Sequence, residues 1–170
     1  MYRLKVLMLS FAMLLIGCGT ESDVTTLRVG HTLDSSHAVH QSLQHMADRL
    51  SHYSDGSMQL KLYANGQLGS EREMVELLQI GSLAITKVSA AAMEGFVPEM
   101  KVFSLPYIFR SRDHRWQVLQ GDVGQDILSA TDKAHLTGLG YFDAGSRSFY
   151  TTAKKVEQPS DLNGLKIRVM

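Results

Sequence analysis

The sequence predicts an α/β fold in which a mostly parallel sheet is flanked by helices, and three observations predict it. Short segments of alternating apolar residues at 27–29, 58–62 and 83–88 take turns with two longer segments whose apolar residues recur at helical spacing. Turn or cap chemistry marks each boundary between them. With 44% hydrophobic and 20% charged residues over 170 positions, the chain can bury a core and lies far from disordered, collagenous or coiled-coil compositions. Strands joined through helices need crossover connections, and crossovers pair strands in parallel.

Arg3 and Lys5 precede an apolar run from Val6 to Gly17 broken only by Ser10. That run is shorter than the ~18 to 20 residues a membrane helix needs, which predicts a signal peptide over 1–17. It ends Leu15, Ile16, Gly17, Cys18, a tetrapeptide that resembles the lipobox of bacterial lipoproteins and marks Cys18 as the lipidated first residue of the mature chain. Residues 18–26, rich in Thr, Ser, Glu and Asp, then read as a polar tether. Cleavage removes two bases and no acid, so the exported chain is mildly acidic. Cys18 is the one cysteine, and with it spent on lipid no thiol is left for a disulfide or a thiolate site.

Within the body, Leu27 and Val29 predict an opening strand that stops at Gly30. Ser35 or Ser36 can cap a helix whose apolar face is Val39, Leu43, Met46, Ala47, Leu50 and Tyr53, ended by Asp55 and Gly56. Met58, Leu60 and Leu62 form a second strand closed by the Asn65, Gly66 turn. Ser70 and Glu73 have capping-box spacing ahead of a helix with Met74, Leu77, Leu78 and Ile80 on its apolar side. A third strand covers 83–88. Beyond it, 90–109 reads as irregular, 112–120 and 123–134 as helices, 136–142 as a buried strand, 148–152 as extended and 159–162 as a helical turn. The last strand, 166–169, runs into the end of the sequence and reads as an interrupted domain. The expected organisation is therefore a first lobe over 27–145 and a hinge-crossing segment with the start of a second lobe over 146–170.

Lysine plus arginine and aspartate plus glutamate each number 17, so there is no net charge and no basic block of the kind phosphate neutralisation requires. Nucleic acid is excluded as a partner class. Five histidines, His31, His37, His40, His45 and His52, are dense enough to raise a metal site, but three of them fall opposite the helix's apolar stripe, where solvated residues belong, and no metal is assigned. The GQLGS stretch at 66–70 lacks both the Walker lysine and dinucleotide spacing, and there is no G-x-S-x-G, so neither a phosphate cofactor nor a serine triad is indicated. Two arginines carry more information. Arg147 follows an apolar strand, and Arg168 lies inside the otherwise apolar Ile167, Val169 strand, where an unpaired charge is costly. A planar guanidinium there needs a carboxylate, from the protein or from a ligand.

Five segments in order, GHTLDSSHAVH at 30–40, NGQLGSEREMVELLQIGSL at 65–83, VFSLPYIFR at 102–110, GSRSFYTT at 145–152 and GLKIRVM at 164–170, resemble the solute-binding subunits of tripartite ATP-independent periplasmic (TRAP) transporters, the DctP-like family. One departure is Ala38, where relatives commonly carry proline. The resemblance implies a two-lobed periplasmic binding protein, roughly twice this length, whose lobes close on a ligand by a hinge; most of the second lobe is then absent here. It implies that Arg168 grips the substrate carboxylate, that Arg147 is a second basic contact, and that His31, Glu71 and Ser89, at strand or helix ends, face the cleft. Segments 88–91 and 143–152 are most similar to members that bind sugar acids such as uronates, with C4-dicarboxylates also open. The implied partners are a small carboxylate ligand, TRAP permease subunits and, through Cys18, a membrane; no turnover and no cofactor are implied. An exported enzyme acting on an acidic sugar is the rival reading, for which Glu71 alone offers an acid or base; a metal-capturing lipoprotein would rest on the histidines alone.

Overall fold

The computed structural model describes residues 24–145, 150–152 and 154–167. Its centre is a three-stranded parallel sheet in the order β2-β1-β3, formed by β1 (Thr25–His31), β2 (Met58–Tyr63) and β3 (Ile85–Lys87). β1 pairs along its length with β2, and its carboxyl end pairs with β3, so that Val29 lies beside both Leu62 and Ile85 and His31 beside Lys87. The opening strand is longer than its alternation predicts, starting at Thr25 and running past Gly30 to His31. The third strand is shorter, three residues of the six expected.

Helix α1 (Ala38–Tyr53) covers one face of the sheet. Val39 and Leu43 join Val29 in a buried cluster with Leu60, Leu62 and Ile85 packed around it. Neither predicted serine caps this helix: the Nδ1 of His37 accepts the Val39 N–H at 3.1 Å, while Ser36 donates its own N–H to Asp34. Tyr53, expected on the apolar face, is exposed, because the helix has by then run past the sheet, and its ring stacks under the Arg49 guanidinium at 4.3 Å.

Helix α2 (Glu71–Gln79) covers the opposite face, and the expected capping box is formed, with Ser70 Oγ accepting from Glu73 N–H and Glu73 Oε2 accepting from Ser70 N–H at 2.7 Å. Met74 and Val75 are fully buried, whereas Ile80, read as part of the apolar side, is the exposed C-cap. A Cβ at Gly30 would lie 2.7 Å from the Met74 sulfur and 3.3 Å from Leu68, so the absence of a side chain in β1 lets α2 approach the sheet.

The segment expected to be irregular contains α3 (Ala90–Met93) and a 3₁₀ turn at Pro98–Ser104. Helix α4 (Arg112–Gln120), capped by Ser111, and α5 (Asp122–Ser129) follow, the latter continuing as a 3₁₀ turn over Ala130–Ala134. Val75, Met93, Val97, Met100 and Ile127 form a second buried cluster with Ala130 and Ala134, and Gln79 donates to the Ala134 carbonyl at 2.9 Å. The apolar stretch 136–142, predicted as a strand, has no ladder partner among the described residues. Its Tyr141 is held by tertiary contacts instead, packing edge-on against Phe103 and donating its hydroxyl to the Gly124 carbonyl at 2.8 Å. Burial pushes the Tyr141 phenol up to about 12. Pro159–Leu162 is the predicted helical turn. Of the last predicted strand, 166 and 167 show no regular element, and the rest lies outside the described residues. No described helix is long and apolar enough to cross a membrane.

Candidate functional site

Parallel strands that end together leave a shelf at their carboxyl ends, where the chain turns into the following helices and ligands of open α/β sheets bind. Here the shelf is made by the ends of β1 and β3 and by the starts of α1, α2 and α3. His31 and Lys87 are its two strand-end residues, neighbours across the β1–β3 ladder.

Glu71 and Ser89, both expected in the cleft, meet directly. The Glu71 carboxylate accepts the Ser89 hydroxyl at 2.5 Å and the Ser89 N–H at 3.1 Å, and the Thr32 hydroxyl adds a third hydrogen bond at 3.4 Å. Ser89 Oγ in turn accepts the Ala92 N–H, which caps α3. Lys87 Nζ lies 4.0 Å from Glu71 Oε1, an ion pair without a hydrogen bond, and the two side chains are only 13% and 17% exposed.

His31 is completely buried, and its Nε2 shares a hydrogen bond with His40 Nδ1 at 2.9 Å, one ring donating and the other accepting. Burial first, then the neighbouring His40 and Lys87, hold its pKa below the ordinary 6.5, with the Leu33 carbonyl pulling the other way. The histidines thus divide: His31 and His40 pair inside, His37 caps α1, and His45 and His52 lie in solvent. No cluster of three metal-ligating side chains forms among the described residues.

A cavity of about 1070 Å³ opens between this shelf and the 135–145 segment. Thr86, Lys87 and Ser89 line one wall; Phe109, Tyr141 and Asp143 line the other. A shallower hollow of about 570 Å³ continues past Arg112, Arg115 and His37. Both arginines pair with Asp143, Arg112 at 3.3 Å, and Asp143 Oδ1 accepts the Gly145 N–H at 3.0 Å. The Gly145 N–H, then Arg115 and Arg112, hold the Asp143 carboxyl below its usual range. Gly145 has φ +91, a backbone state that suits glycine, and closes this turn two positions before Arg147. Arg147, Arg168 and Cys18 lie outside the described residues.

Sequence reasoning missed Lys87. A lysine ending an apolar strand reads as ordinary solvated charge, and the signal that could have found it is its place two residues before the Ser89 cap, at the carboxyl end of a parallel strand.

Comparison with known proteins agrees with this geometry. The family model for bacterial extracellular solute-binding protein, family 7 (DctP), matches residues 29–170. The Salmonella typhimurium protein YiiZ is 37% identical over 147 residues, 86% of this chain but 45% of its own length. This chain therefore spans less than half the length of that relative. A TRAP periplasmic solute-binding protein from Sulfitobacter sp. NAS-14.1, solved with bound β-D-galacturonate, superposes with a TM-score of 0.82 at 29% identity, covering 86% of this chain and 49% of that one. One from Bradyrhizobium sp. BTAi1, in complex with D-galacturonate, gives 0.78 at 35% identity, covering 82% and 47%. A parallel sheet with helices on both faces, a polar shelf at the strand ends and a family match across all of it lead to one assignment: the chain belongs to the DctP family of bacterial extracellular solute-binding proteins.

Proposed function

We propose that this chain forms the first lobe of a periplasmic solute-binding lipoprotein that captures a small organic acid and delivers it to a TRAP-type membrane permease. The favoured ligand class is sugar acids such as uronates, followed by C4-dicarboxylates. The observation that carries the reading is the open cavity at the carboxyl ends of β1 and β3, lined by Lys87 and Ser89, in a chain whose solved neighbours hold galacturonate in their own structures.

In this reading Arg168 grips the ligand carboxylate through its planar fork and Arg147 is the second basic contact. Glu71, Ser89 and His31 shape the shelf. Residues 1–17 direct export, Cys18 carries the lipid, and the tether to the membrane stops short of the expected residue 26, because Thr25 and Thr26 are already paired in β1. Binding is stoichiometric, without turnover. The test is titration calorimetry of the full-length gene product with D-galacturonate, D-glucuronate and succinate, alongside product analysis after prolonged incubation. Saturable one-to-one binding of at least one acid, recovered unchanged, is expected. Failure to bind all three, or conversion of a bound acid to product, overturns the reading.

A further inference from the structure

We propose that Lys87 is a specificity-determining residue of the cleft, an ammonium that binds an acceptor oxygen of the acid remote from the carboxylate gripped by arginine. The inference rests on the binding-protein reading above.

It follows from what the other polar groups on the shelf already do. The Thr86 hydroxyl donates to the Gly30 carbonyl at 2.9 Å. Ser89 spends its proton on Glu71 and its lone pair on Ala92. His31 bonds to His40 through Nε2, and its Nδ1, which has no hydrogen-bond partner among the described residues, is fully buried and away from the cavity lining. Glu71 already accepts three protein hydrogen bonds, close to the capacity of a carboxylate. Lys87 differs from all of them. Lys87 lines the cavity with 13% of its side chain exposed, and among the described residues the one close partner of its ammonium is the Glu71 carboxylate at 4.0 Å, beyond hydrogen-bond reach.

An ammonium has three N–H donors and no acceptor, and desolvating it without acceptors is costly. Glu71 keeps the charge in place without saturating it. Such a group selects its ligand by chemistry: it takes a hydroxyl, carbonyl, ring oxygen or second carboxylate, and gains nothing from an alkyl chain. Uronates and dicarboxylates carry such oxygens, whereas a simple monocarboxylate does not. Glu71 and Ser89 are positioning residues in this scheme, holding the ammonium and the start of α3 in register.

The experiment compares Lys87→Met and Lys87→Gln with the unmodified full-length gene product, using D-galacturonate, succinate and butyrate as probes and monitoring melting of the unliganded proteins. The unmodified protein is expected to prefer the oxygen-rich acids. Either variant should weaken whichever of galacturonate or succinate binds by about ten- to hundredfold, the range for a hydrogen bond to a charged group. Any residual butyrate affinity should stay unchanged, and Lys87→Arg should restore part of the loss. Unaltered affinity in a folded Lys87→Met overturns the assignment of Lys87 while leaving the binding-protein reading intact; an unmodified protein that binds neither oxygen-rich acid overturns both. Should both neutral variants fail to fold, ¹⁵N NMR of the lysine ammonium in the unmodified protein decides. A shifted, exchange-protected Lys87 signal at saturating galacturonate supports the assignment, and an unmoved one refutes it.

Discussion

Replacing Glu71 by glutamine keeps its size and removes its charge, which separates holding the shelf from touching the ligand. The carboxylate accepts two hydrogen bonds from Ser89 at 2.5 and 3.1 Å and one from Thr32, beside the Lys87 ammonium. A glutamine oxygen can keep the Ser89 N–H bond at neutral strength, while its amide nitrogen meets the Ser89 hydroxyl, which must turn its proton away and accept instead. Loss of charge assistance amounts to about 1 kcal/mol per Ser89 bond, and a partly buried Lys87 deprived of its counter-charge adds to it, for about 2–3 kcal/mol in all. The 17% exposure of Glu71 leaves little solvent screening to reduce this figure. For a full-length protein of about twice this size the loss corresponds to a melting temperature lower by about 3–5 °C. Urea unfolding followed by circular dichroism measures it, and the titration calorimetry described above, run on the same sample, reports affinity. The unliganded Glu71→Gln protein is expected to lose stability, with affinity declining as a consequence of a loosened shelf. A stability change below about 0.5 kcal/mol combined with abolished binding would refute it, and would make Glu71 a direct ligand contact.

Three further outcomes are expected. The unfolded chain takes up a proton at the His31 position more readily than the folded one, because burial, His40 and Lys87 depress the folded pKa below 6.5; stability is therefore complete above about pH 6.5 and declines as pH falls below it. Urea midpoints at pH 7.5 and 5.5 should differ less in His31→Gln than in the unmodified protein, and an unchanged difference refutes the linkage. Cys18→Ser is expected to yield a soluble or uncleaved protein in cell fractionation, and unaltered membrane association contradicts the anchor. Arg168→Lys keeps the charge but loses the fork, so the full-length protein should bind its acid about 1.5–3 kcal/mol more weakly with little change in unliganded melting; a destabilised protein whose folded fraction binds normally removes Arg168 from the site.

Where local chemistry decides structure, the sequence was readable. The helix over Arg112–Gln120 begins and ends where expected because Ser111 caps it and Gly121 stops it, and the Ser70, Glu73 box specifies the start of α2 for the same reason. Where tertiary context decides, it was not. Apolar periodicity continues to Tyr53 and Ile80, but each lies where its helix has outrun the surface it covers. The apolar run 136–142 looks like a strand, yet strand formation needs a partner, which no periodicity supplies. The histidines divided on grounds of position alone, since a buried, hydrogen-bonded imidazole and a solvated one read identically in a sequence. Family resemblance marks Glu71 and Ser89 as expected cleft residues, but their mutual hydrogen bonds were not legible. Those bonds join Glu71 to Ser89 beside Lys87, a residue the pattern left unmarked.

Gly30 has a consequence for anyone who sets out to retune this protein by directed evolution. Libraries for a binding protein are ordinarily drawn from the residues that line its cavity, and Gly30 is not among them. Yet a methyl group at this position would press on Met74 and Leu68, and relief by moving α2 outward would carry Glu71, at the head of that helix, away from Ser89. With such a helix shift the aim of the shelf's polar groups would change, whereas rotation of the Met74 and Leu68 side chains alone would leave it intact. Selections that hold position 30 constant preserve a working baseline for substitutions at the cavity wall, and those that vary it together with Met74 explore cleft widths that wall substitutions alone cannot reach.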